Sequence, residues 1–178
     1  MGNKSHFFRQ SSGGLNLSLV AEYNFNNNLI DEIGGNNGTG TDITYDVGSF
    51  GNEAVFNGST SEARTPNSTV WDISDGTNDI PIKIEILVRM DDFNGLRYLV
   101  AKNPYGGSAD GWEVVYSNNK IYTQVFDKLT GSANYVACDM QYDEDGYSKI
   151  IIEYDGGYNI NGWYISVNNT TTGFEGDF

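Results

Sequence analysis

Residues 148–169, SKIIIEYDGGYNINGWYISVNN, alternate apolar and polar side chains in a way that constrains the fold more than any other stretch. The residues that share one face of an extended chain here are Ile150, Ile152, Tyr154, Trp163, Ile165 and Val167. A two-residue period on β-branched and aromatic residues is typical of strands with one buried face. Between the two runs, residues 155–162 contain three glycines and two asparagines, which tolerate positive φ. The stretch therefore predicts a β-hairpin.

The same alternation marks the clearest single strand of the chain, IPIKIEILVRM at residues 80–90. One face carries isoleucines and a valine and the other mostly charged residues, as in an antiparallel strand with one packed and one solvated face. Further strand-like runs lie at 17–25, 53–56, 97–102, 112–117, 121–127 and 134–140. Roughly nine or ten short strands without a convincing helix predict an all-β fold, an antiparallel two-sheet β-sandwich of the jelly-roll type.

The composition of the 178-residue chain limits its partners. Ten Lys and Arg residues stand against 24 Asp and Glu residues, which gives a formal net charge of −14. Such a surface repels phosphate backbones, so we expect no nucleic-acid partner. No run of about 18 apolar residues occurs, so we expect no insertion into a membrane. Excess carboxylates serve solubility in most proteins and supply oxygen ligands for Ca²⁺ in some.

The first fourteen residues, MGNKSHFFRQSSGG, contain cations but no acidic residue, and they lack the apolar core of a secretory signal. Their cations and aromatic residues are Lys4, Phe7, Phe8 and Arg9. Ser-Ser-Gly-Gly at 11–14 is typical of a flexible joint. We therefore expect a basic-aromatic arm and linker at 1–14 that docks onto a partner protein, followed by one domain at 15–178. A disordered terminus is the alternative.

Several motifs occur in an order and at spacings that carry more information than any one of them. They are LVAEYNFNNN at 19–28, DEIGGNNGT at 31–39, FGNEAVFNGS at 50–59, IKIEILVRMDD at 82–92 and a segment at 98–112 that ends in Gly-Trp. In this order they resemble the laminin-G-like, concanavalin-A-like jelly-roll domains of the lectin and glucanase superfamily, over about residues 18–174. The resemblance implies a β-sandwich whose loops bind a sugar or one structural Ca²⁺.

Two departures from the family pattern bear on assembly. Tyr147, Ser148 and Lys149 stand where many relatives have Trp-His-His. Relatives also continue past the final hairpin with two strands that return to the sheet of the first strand, whereas this sequence stops nine residues after Asn169. We expect that the domain closes differently, that a neighbour supplies the strands, or that the sequence is a fragment. An uncovered sheet edge favours assembly.

The segment Glu153-Tyr-Asp155-Gly-Gly-Tyr158 is the nearest match to a glycosidase motif. Glycoside hydrolases of this fold place Glu-x-Asp-x-x-Glu on one strand, where carboxylates act as nucleophile and acid. Tyr158 replaces the last carboxyl here, so a retaining mechanism has no acid. The chain has one histidine, His6, and one cysteine, Cys138, which disfavours nucleophilic and zinc chemistry. We expect no enzymatic activity.

Loops supply the candidate ligand-binding residues. For Ca²⁺ the candidates are Asp31, Asp143 and Asp145, and solvated loop acids are the alternative. For sugars, the aromatic side chains that could stack on the ring are Tyr105, Trp112, Tyr158 and Trp163. Because a Trp in a β-sandwich is usually part of the core, the two tyrosines, each beside a glycine, are the better candidates.

These features together predict a non-enzymatic structural or adhesion module of a surface assembly, in the first place a head or tail appendage of a bacteriophage virion. We expect a homo-oligomer that contacts other virion proteins through the arm and a glycan or host surface through the loops. The alternative interpretation is a carbohydrate-binding module of a secreted or cell-surface bacterial protein.

Overall fold

The computed structural model describes residues 3–10, 17–73, 80–91, 94–102, 111–127, 132–156, 162–172 and 176–177. A 3₁₀ helix occurs at Thr69–Trp71. The strands are β1 (Asn3–Gln10), β2 (Leu17–Tyr23), β3 (Thr39–Thr41), β4 (Thr44–Gly48), β5 (Gly51–Val55), β6 (Glu62–Arg64), β7 (Ile82–Arg89), β8 (Arg97–Lys102), β9 (Gly111–Ser117), β10 (Lys120–Asp127), β11 (Ser132–Asp139), β12 (Tyr147–Tyr154), β13 (Trp163–Val167), β14 (Thr170–Thr172) and β15 (Gly176–Asp177). No helix in the described residues is long and apolar enough to cross a membrane.

The strands form antiparallel sheets, so the predicted all-β antiparallel class is confirmed. The larger sheet has the order β14-β13-β12-β7-β1-β2, and the second has the order β15-β11-β10-β9-β8. Two small sheets pair β3 with β6 and β4 with β5. The hairpin predicted at 148–169 is confirmed as well, because β12 and β13 pair antiparallel with Ile152 opposite Ile165. Its tip at 157–161 lies outside the described residues.

Burial follows the sequence alternation in the central strands. Every second side chain of β7, from Ile82 to Val88, is buried, while the intervening ones are partly exposed. One hydrophobic cluster contains side chains from both large sheets. Its members include Ile84, Ile86, Ile152, Ile165 and Val167 from the larger sheet and Trp112, Val114, Ile121 and Val136 from the second. Each buried aliphatic side chain contributes about 1.5–3 kcal/mol, so this shared cluster is the main favourable term holding the sheets together.

Residues 3–10 of the segment predicted as a docking arm form strand β1 within the larger sheet. Strand β1 pairs with β2 on one side and with β7 on the other, where Ser5 lies opposite Tyr23 and Ile86. Both backbone edges of β1 are therefore hydrogen-bonded inside the chain, so β1 presents no free strand edge to a partner protein. The side chains of Lys4, Phe7, Phe8 and Arg9 are outside the described part of the structure, as is the joint at 11–14, and a docking role for them stays a prediction.

The place of β1 also changes the expectation about the sheet edges. From the sequence we expected that the domain closes differently from its relatives, that a neighbour supplies the missing strands, or that the sequence is a fragment. In the structure the neighbour of β2 is β1. The hairpin at 148–169 is not the edge of the sheet either, because β14 pairs with the outer side of β13.

Candidate functional site

A cleft with a volume of about 930 Å³ lies between β6 and β8. It is lined by aromatic side chains (Tyr23, Phe25, Phe56, Trp71, Tyr98 and Trp112), by the runs 61–67 and 98–102, and by Leu29 and Gly38. Every residue of the runs 61–67 and 98–102 lines the cleft. Because successive residues of a strand point to opposite faces, the cleft must lie along the edges of these two segments and not on one of their faces. Strand β6 pairs with β3, and β8 pairs with β9, on the sides away from the cleft.

The floor of the cleft is held by hydrogen bonds from two indoles. Trp112 is 2% exposed and donates from Nε1 to the carbonyl of Trp71 over 2.8 Å. Trp71 in turn donates from Nε1 to the carbonyl of Pro66 over 3.2 Å. Each buried indole N–H thus has an acceptor, which a buried polar group requires. Of the sequence-predicted sugar-binding residues that the structure describes, Trp112 and not Trp163 lines the cleft, as part of its floor.

The buried side chain of Tyr23 lines the same cleft. Tyr23 donates its hydroxyl proton to the carbonyl of Asn36 over 2.6 Å. Burial, with a smaller contribution from the carboxylate of Asp31, raises the pKa of Tyr23 far above its ordinary value. The phenol therefore stays protonated and keeps donating this bond throughout the ordinary pH range, so the loop at 36 remains attached to β2.

The rim of the cleft carries one exposed aromatic ring and several polar groups. Tyr98 on β8 is 54% exposed, more than any other described aromatic side chain. Lys102 at the end of the same strand forms an ion pair with Asp72. On the other side, Arg64 bonds Glu62 over 2.9 Å, and this hydrogen bond raises the pKa of the guanidinium. The rim thus combines a stacking surface with donors and acceptors.

Sequence reasoning did not select Tyr98. The run RYLVAK identifies a strand, but the exposure of Tyr98 depends on β8 being the edge strand of its sheet and on a bulge between Tyr98 and Val100. Neither property is encoded in the local alternation. Tyr98 does lie within the segment 98–112 that resembles the family, which is the signal that could have selected it.

The other predicted sugar-binding residues lie elsewhere. Trp163 is 3% exposed and stacks on Tyr154 in the core, with ring centroids 4.5 Å apart and an interplanar angle of 12°. The ring therefore packs in the core, which is the usual role of a Trp in a β-sandwich. Tyr105 and Tyr158 lie outside the described residues.

Asp31, the first predicted calcium ligand, is buried and used within the chain. Its carboxylate accepts hydrogen bonds from the backbone N–H groups of Glu22, Ile33, Gly34 and Asn36 and from the side-chain amide of Asn36, all between 3.0 and 3.2 Å. Burial by itself would raise the pKa of Asp31, but these hydrogen bonds outweigh it and lower the pKa. The geometry is that of a carboxylate that shapes a loop.

Asp143 and Asp145, the other predicted metal ligands, lie in one turn. The Oδ1 atom of Asp143 accepts the N–H of Asp145 over 3.0 Å and that of Tyr147 over 2.7 Å. Asp145 is exposed. Within the described residues no group of three or more His, Cys, Asp or Glu side chains is arranged to hold a metal ion. The contacts of Asp143 are those of an Asx turn, which needs no ion.

The two carboxylates of the glycosidase-like segment, Glu153 and Asp155, face solvent. Glu153 is exposed on the outer face of the larger sheet, where it pairs with Lys83 over 3.1 Å. Asp155 is exposed just after β12, and Tyr158 falls outside the described residues. Cys138 is buried, and its thiol donates to the carbonyl of Thr170 over 3.6 Å. Neither Glu153 nor Cys138 lines the cleft.

Comparisons of the chain with protein-family models, with curated proteins and with solved structures found no match in any of the three. The laminin-G-like resemblance therefore remains a prediction from the sequence motifs.

Proposed function

We propose that this chain is a non-enzymatic adhesion module that binds a neutral glycan in the cleft between β6 and β8. The observation that carries the proposal is Tyr98, which is 54% exposed on the rim of a cleft of about 930 Å³. Ligand sites in proteins are clefts of about 300–1,000 Å³ that combine apolar walls with a few polar groups. This cleft has that size and that composition.

The chemistry of the rim favours a sugar over a purely apolar ligand. A sugar ring presents C–H groups that pack on an aromatic face and hydroxyls that need donors and acceptors. Tyr98 supplies the aromatic face. The exposed Thr65 and Asn67, together with the ion-paired Glu62 and Arg64, supply the hydrogen-bonding groups.

The charge of the chain favours a neutral glycan. A net charge of −14 repels acidic polysaccharides for the same reason that it repels nucleic acids. The two cations that line the cleft, Arg64 and Lys102, each have a carboxylate partner, so they add little net positive potential. A neutral ligand avoids this long-range repulsion.

The architecture that we propose for the module is a jelly-roll sandwich of the laminin-G-like, concanavalin-A-like type. The hydrophobic cluster shared by both large sheets supports it, since two sheets that pack face to face build one core from their inner faces. The sequence motifs and their order are the support for the family.

A place on a bacteriophage virion, as a head or tail appendage, rests on the sequence alone. One of its arguments has changed, because residues 3–10 form β1 inside the sheet instead of a separate arm. Oligomer formation through a free N-terminal strand is accordingly not part of the proposal. A carbohydrate-binding module of a secreted or cell-surface bacterial protein is the second candidate, and the cleft supports it equally.

A glycan array tests the proposal with three forms of the full chain: the unchanged protein, Tyr98→Ala and Tyr164→Ala. Tyr164 is the matched control, because it is 45% exposed but lies on β13, away from the cleft. We expect the unchanged protein and Tyr164→Ala to bind the same neutral oligosaccharides. Tyr98→Ala should bind them about three- to tenfold more weakly, the range expected for one lost aromatic contact. Absence of binding to any glycan, or equal binding by Tyr98→Ala, would refute the proposal.

A further inference from the structure

We propose that the larger sheet carries a second ligand site on its outer face, a pocket that takes a single neutral sugar ring or a similar polyol. The pocket has a volume of about 300 Å³ and is lined by Tyr142, Asp143, Lys149, Ile151, Asn168 and Asn169. It shares no lining residue with the cleft between β6 and β8. The inference goes beyond the glycan cleft and stands on its own geometry.

The pocket forms where three parts of the chain meet. Lys149 and Ile151 alternate along β12 with the buried Ile150 and Ile152, so they occupy the outward face of the sheet. The turn between β13 and β14, residues 168–169, closes one side, and residues 142–143 close the other. Asn168 and Asn169 adopt φ values of 45° and 69°, the left-handed conformation that a two-residue hairpin turn requires.

The side of the pocket formed by the turn is fixed by the side chain of Asn168. Its Oδ1 accepts the N–H of Lys149 over 2.7 Å, and its Nδ2 donates to the carbonyls of Gln141 and Tyr147 over 3.1 and 3.2 Å. The turn is thereby attached both to β12 and to the segment before Tyr142. A ligand that enters finds the walls already in place and does not have to order them, which lowers the entropic cost of binding.

The opposite side is fixed by Asp143. Its backbone N–H donates to the carbonyl of Tyr147 over 2.7 Å, and its Oδ1 accepts the N–H groups of Asp145 and Tyr147. Among the described residues no hydrogen bond ends on the second carboxylate oxygen, Oδ2. One oxygen of Asp143 therefore holds the turn, and the other is an acceptor for a ligand hydroxyl.

The remaining lining groups supply the apolar walls, donors and acceptors that a neutral polyol needs. Tyr142 is 39% exposed and offers an aromatic wall, and Ile151 offers an apolar one. The carboxylate of Asp143, the ammonium of Lys149 and the amide of Asn169 offer both acceptors and donors. Burial, with a smaller contribution from Tyr116, raises the pKa of Tyr142 to about 12, so its hydroxyl is protonated at neutral pH.

Local charge argues against an anionic ligand. Lys149 already lies 3.3 Å from a carboxylate oxygen of Glu85, and Glu144 and Asp145 follow Asp143 in the chain. The one cation of the lining is therefore already paired with a carboxylate, and the lining adds a carboxylate of its own, Asp143. A calcium ion would need about six to eight oxygen ligands, more than this lining supplies.

Saturation-transfer NMR on the full chain tests the proposal with glucose, galactose, mannose and N-acetylglucosamine as probes. The forms to compare are the unchanged protein, Tyr98→Ala, Tyr142→Ala, Tyr142→Phe and the control Tyr164→Ala. We expect Tyr98→Ala, Tyr142→Phe and Tyr164→Ala to keep the signal of at least one sugar. When Tyr98→Ala has removed the contribution of the cleft, adding Tyr142→Ala should remove about two thirds of the remaining signal or more, while thermal melts show that the double variant remains folded.

The NMR results distinguish sugar binding in this pocket from sugar binding in the cleft between β6 and β8. Loss of the signal in Tyr98→Ala but not in Tyr142→Ala would place the sugar in the cleft and overturn the second site. No signal from any of the four sugars would also overturn it, whatever the glycan array shows for the cleft. A signal that requires added calcium would identify a metal-dependent site and would equally refute the proposal as stated. Asn169→Gly, which keeps the positive φ and removes the amide, should weaken binding if the sugar lies where we place it.

Discussion

The hydroxyl of Tyr147 donates a hydrogen bond to the carboxylate of Glu53, which joins β12 to β5 across 94 residues of chain. Both side chains are buried. The same hydroxyl accepts the N–H of Ser49 over 3.3 Å, and the ring of Phe50 packs edge-on against Tyr147 with centroids 5.1 Å apart. The hydroxyl of Tyr147 thus connects the β4–β5 hairpin to the larger sheet and supplies a donor to the buried carboxylate of Glu53.

Tyr147→Phe should destabilise the fold, because it leaves the buried Glu53 without the hydroxyl that bonds it. We expect the free energy of unfolding to fall by about 1–3 kcal/mol, the cost of an unsatisfied buried polar group. Urea denaturation measures it. Tyr164→Phe removes a hydroxyl from an exposed ring and should change stability by less than about 0.5 kcal/mol. Equal effects of the two substitutions would contradict the role assigned to Tyr147.

Asp31→Asn should reduce stability at neutral pH and weaken its dependence on acid. Because the folded-state pKa of Asp31 is lowered below its ordinary value of 3.8, its ionised form stabilises the fold above that pH. The stabilisation is lost as the pH falls through the lower, folded-state pKa. Asparagine replaces one acceptor oxygen by a donor that faces N–H groups, so we expect a loss of about 1–3 kcal/mol at pH 7.

Unfolding measured by fluorescence from neutral to acidic pH checks this prediction. The curve of Asp31→Asn should be flatter than that of the unchanged protein at the acidic end. Glu32→Gln alters the neighbouring exposed acid and is the control. If both variants follow the unchanged protein throughout, the loop does not depend on the carboxylate.

Glu85→Gln should cost more than Glu153→Gln on the outer face of the larger sheet. Glu85 lies 3.2 Å from the ammonium of Lys83 and 3.3 Å from that of Lys149, whereas the more exposed Glu153 bonds Lys83 alone. Burial tends to raise the pKa of Glu85, but the hydrogen bonds from the two lysines lower it overall. We expect losses of about 1 kcal/mol and about 0.5 kcal/mol or less, respectively. Both should shrink at about 1 M salt, where exposed charges are screened. Thermal melts at low and high salt measure the two losses. A larger loss for Glu153→Gln than for Glu85→Gln would be inconsistent with this ion-pair network.

Ile152→Ala and Ile151→Ala test the packing of adjacent residues on opposite faces of β12. Ile152 is buried in the cluster shared by the two sheets, and Ile151 is partly exposed. The first substitution should cost about 2–5 kcal/mol through lost burial and a residual cavity. The second should cost about 1 kcal/mol or less. Chemical denaturation measures the free energy of unfolding of both variants. Comparable losses of stability would mean that the outer face of β12 is packed as tightly as the core.

Removal of divalent cations should leave the melting temperature unchanged. The carboxylate of Asp31 already accepts N–H groups, and Oδ1 of Asp143 holds its own turn. Neither loop therefore needs an ion to balance its charge. Melts with excess chelator and with added Ca²⁺ measure this, and a clear drop with chelator would restore the calcium hypothesis for these aspartates.

Much of the strand structure could be predicted because alternation is a local property. The burial of Ile150 and Ile152 and the pairing of β12 with β13 follow from side chains two residues apart pointing to the same face. The burial of Trp163 follows from the same pattern, since it shares a face with Ile165 and Val167.

The candidate sites were less predictable, because they depend on which distant segments meet. Tyr98 is exposed because β8 has a neighbour on one side, and the outer pocket exists because a turn at 168–169 lies beside residue 142. The predicted Asp143 does line that pocket, although the metal chemistry expected for it is not what its contacts favour.

The sequence by itself determined that the chain is all-β, where its central strands lie and which of their faces are buried, since a two-residue period and turn-forming residues act within a few positions. Only the tertiary structure decided that residues 3–10 form a strand between β2 and β7, that Asp31 holds a loop, and that two separate pockets carry an exposed tyrosine each. Strand pairing and pocket formation depend on hydrogen bonds between segments far apart in the chain, which no local pattern of residues specifies.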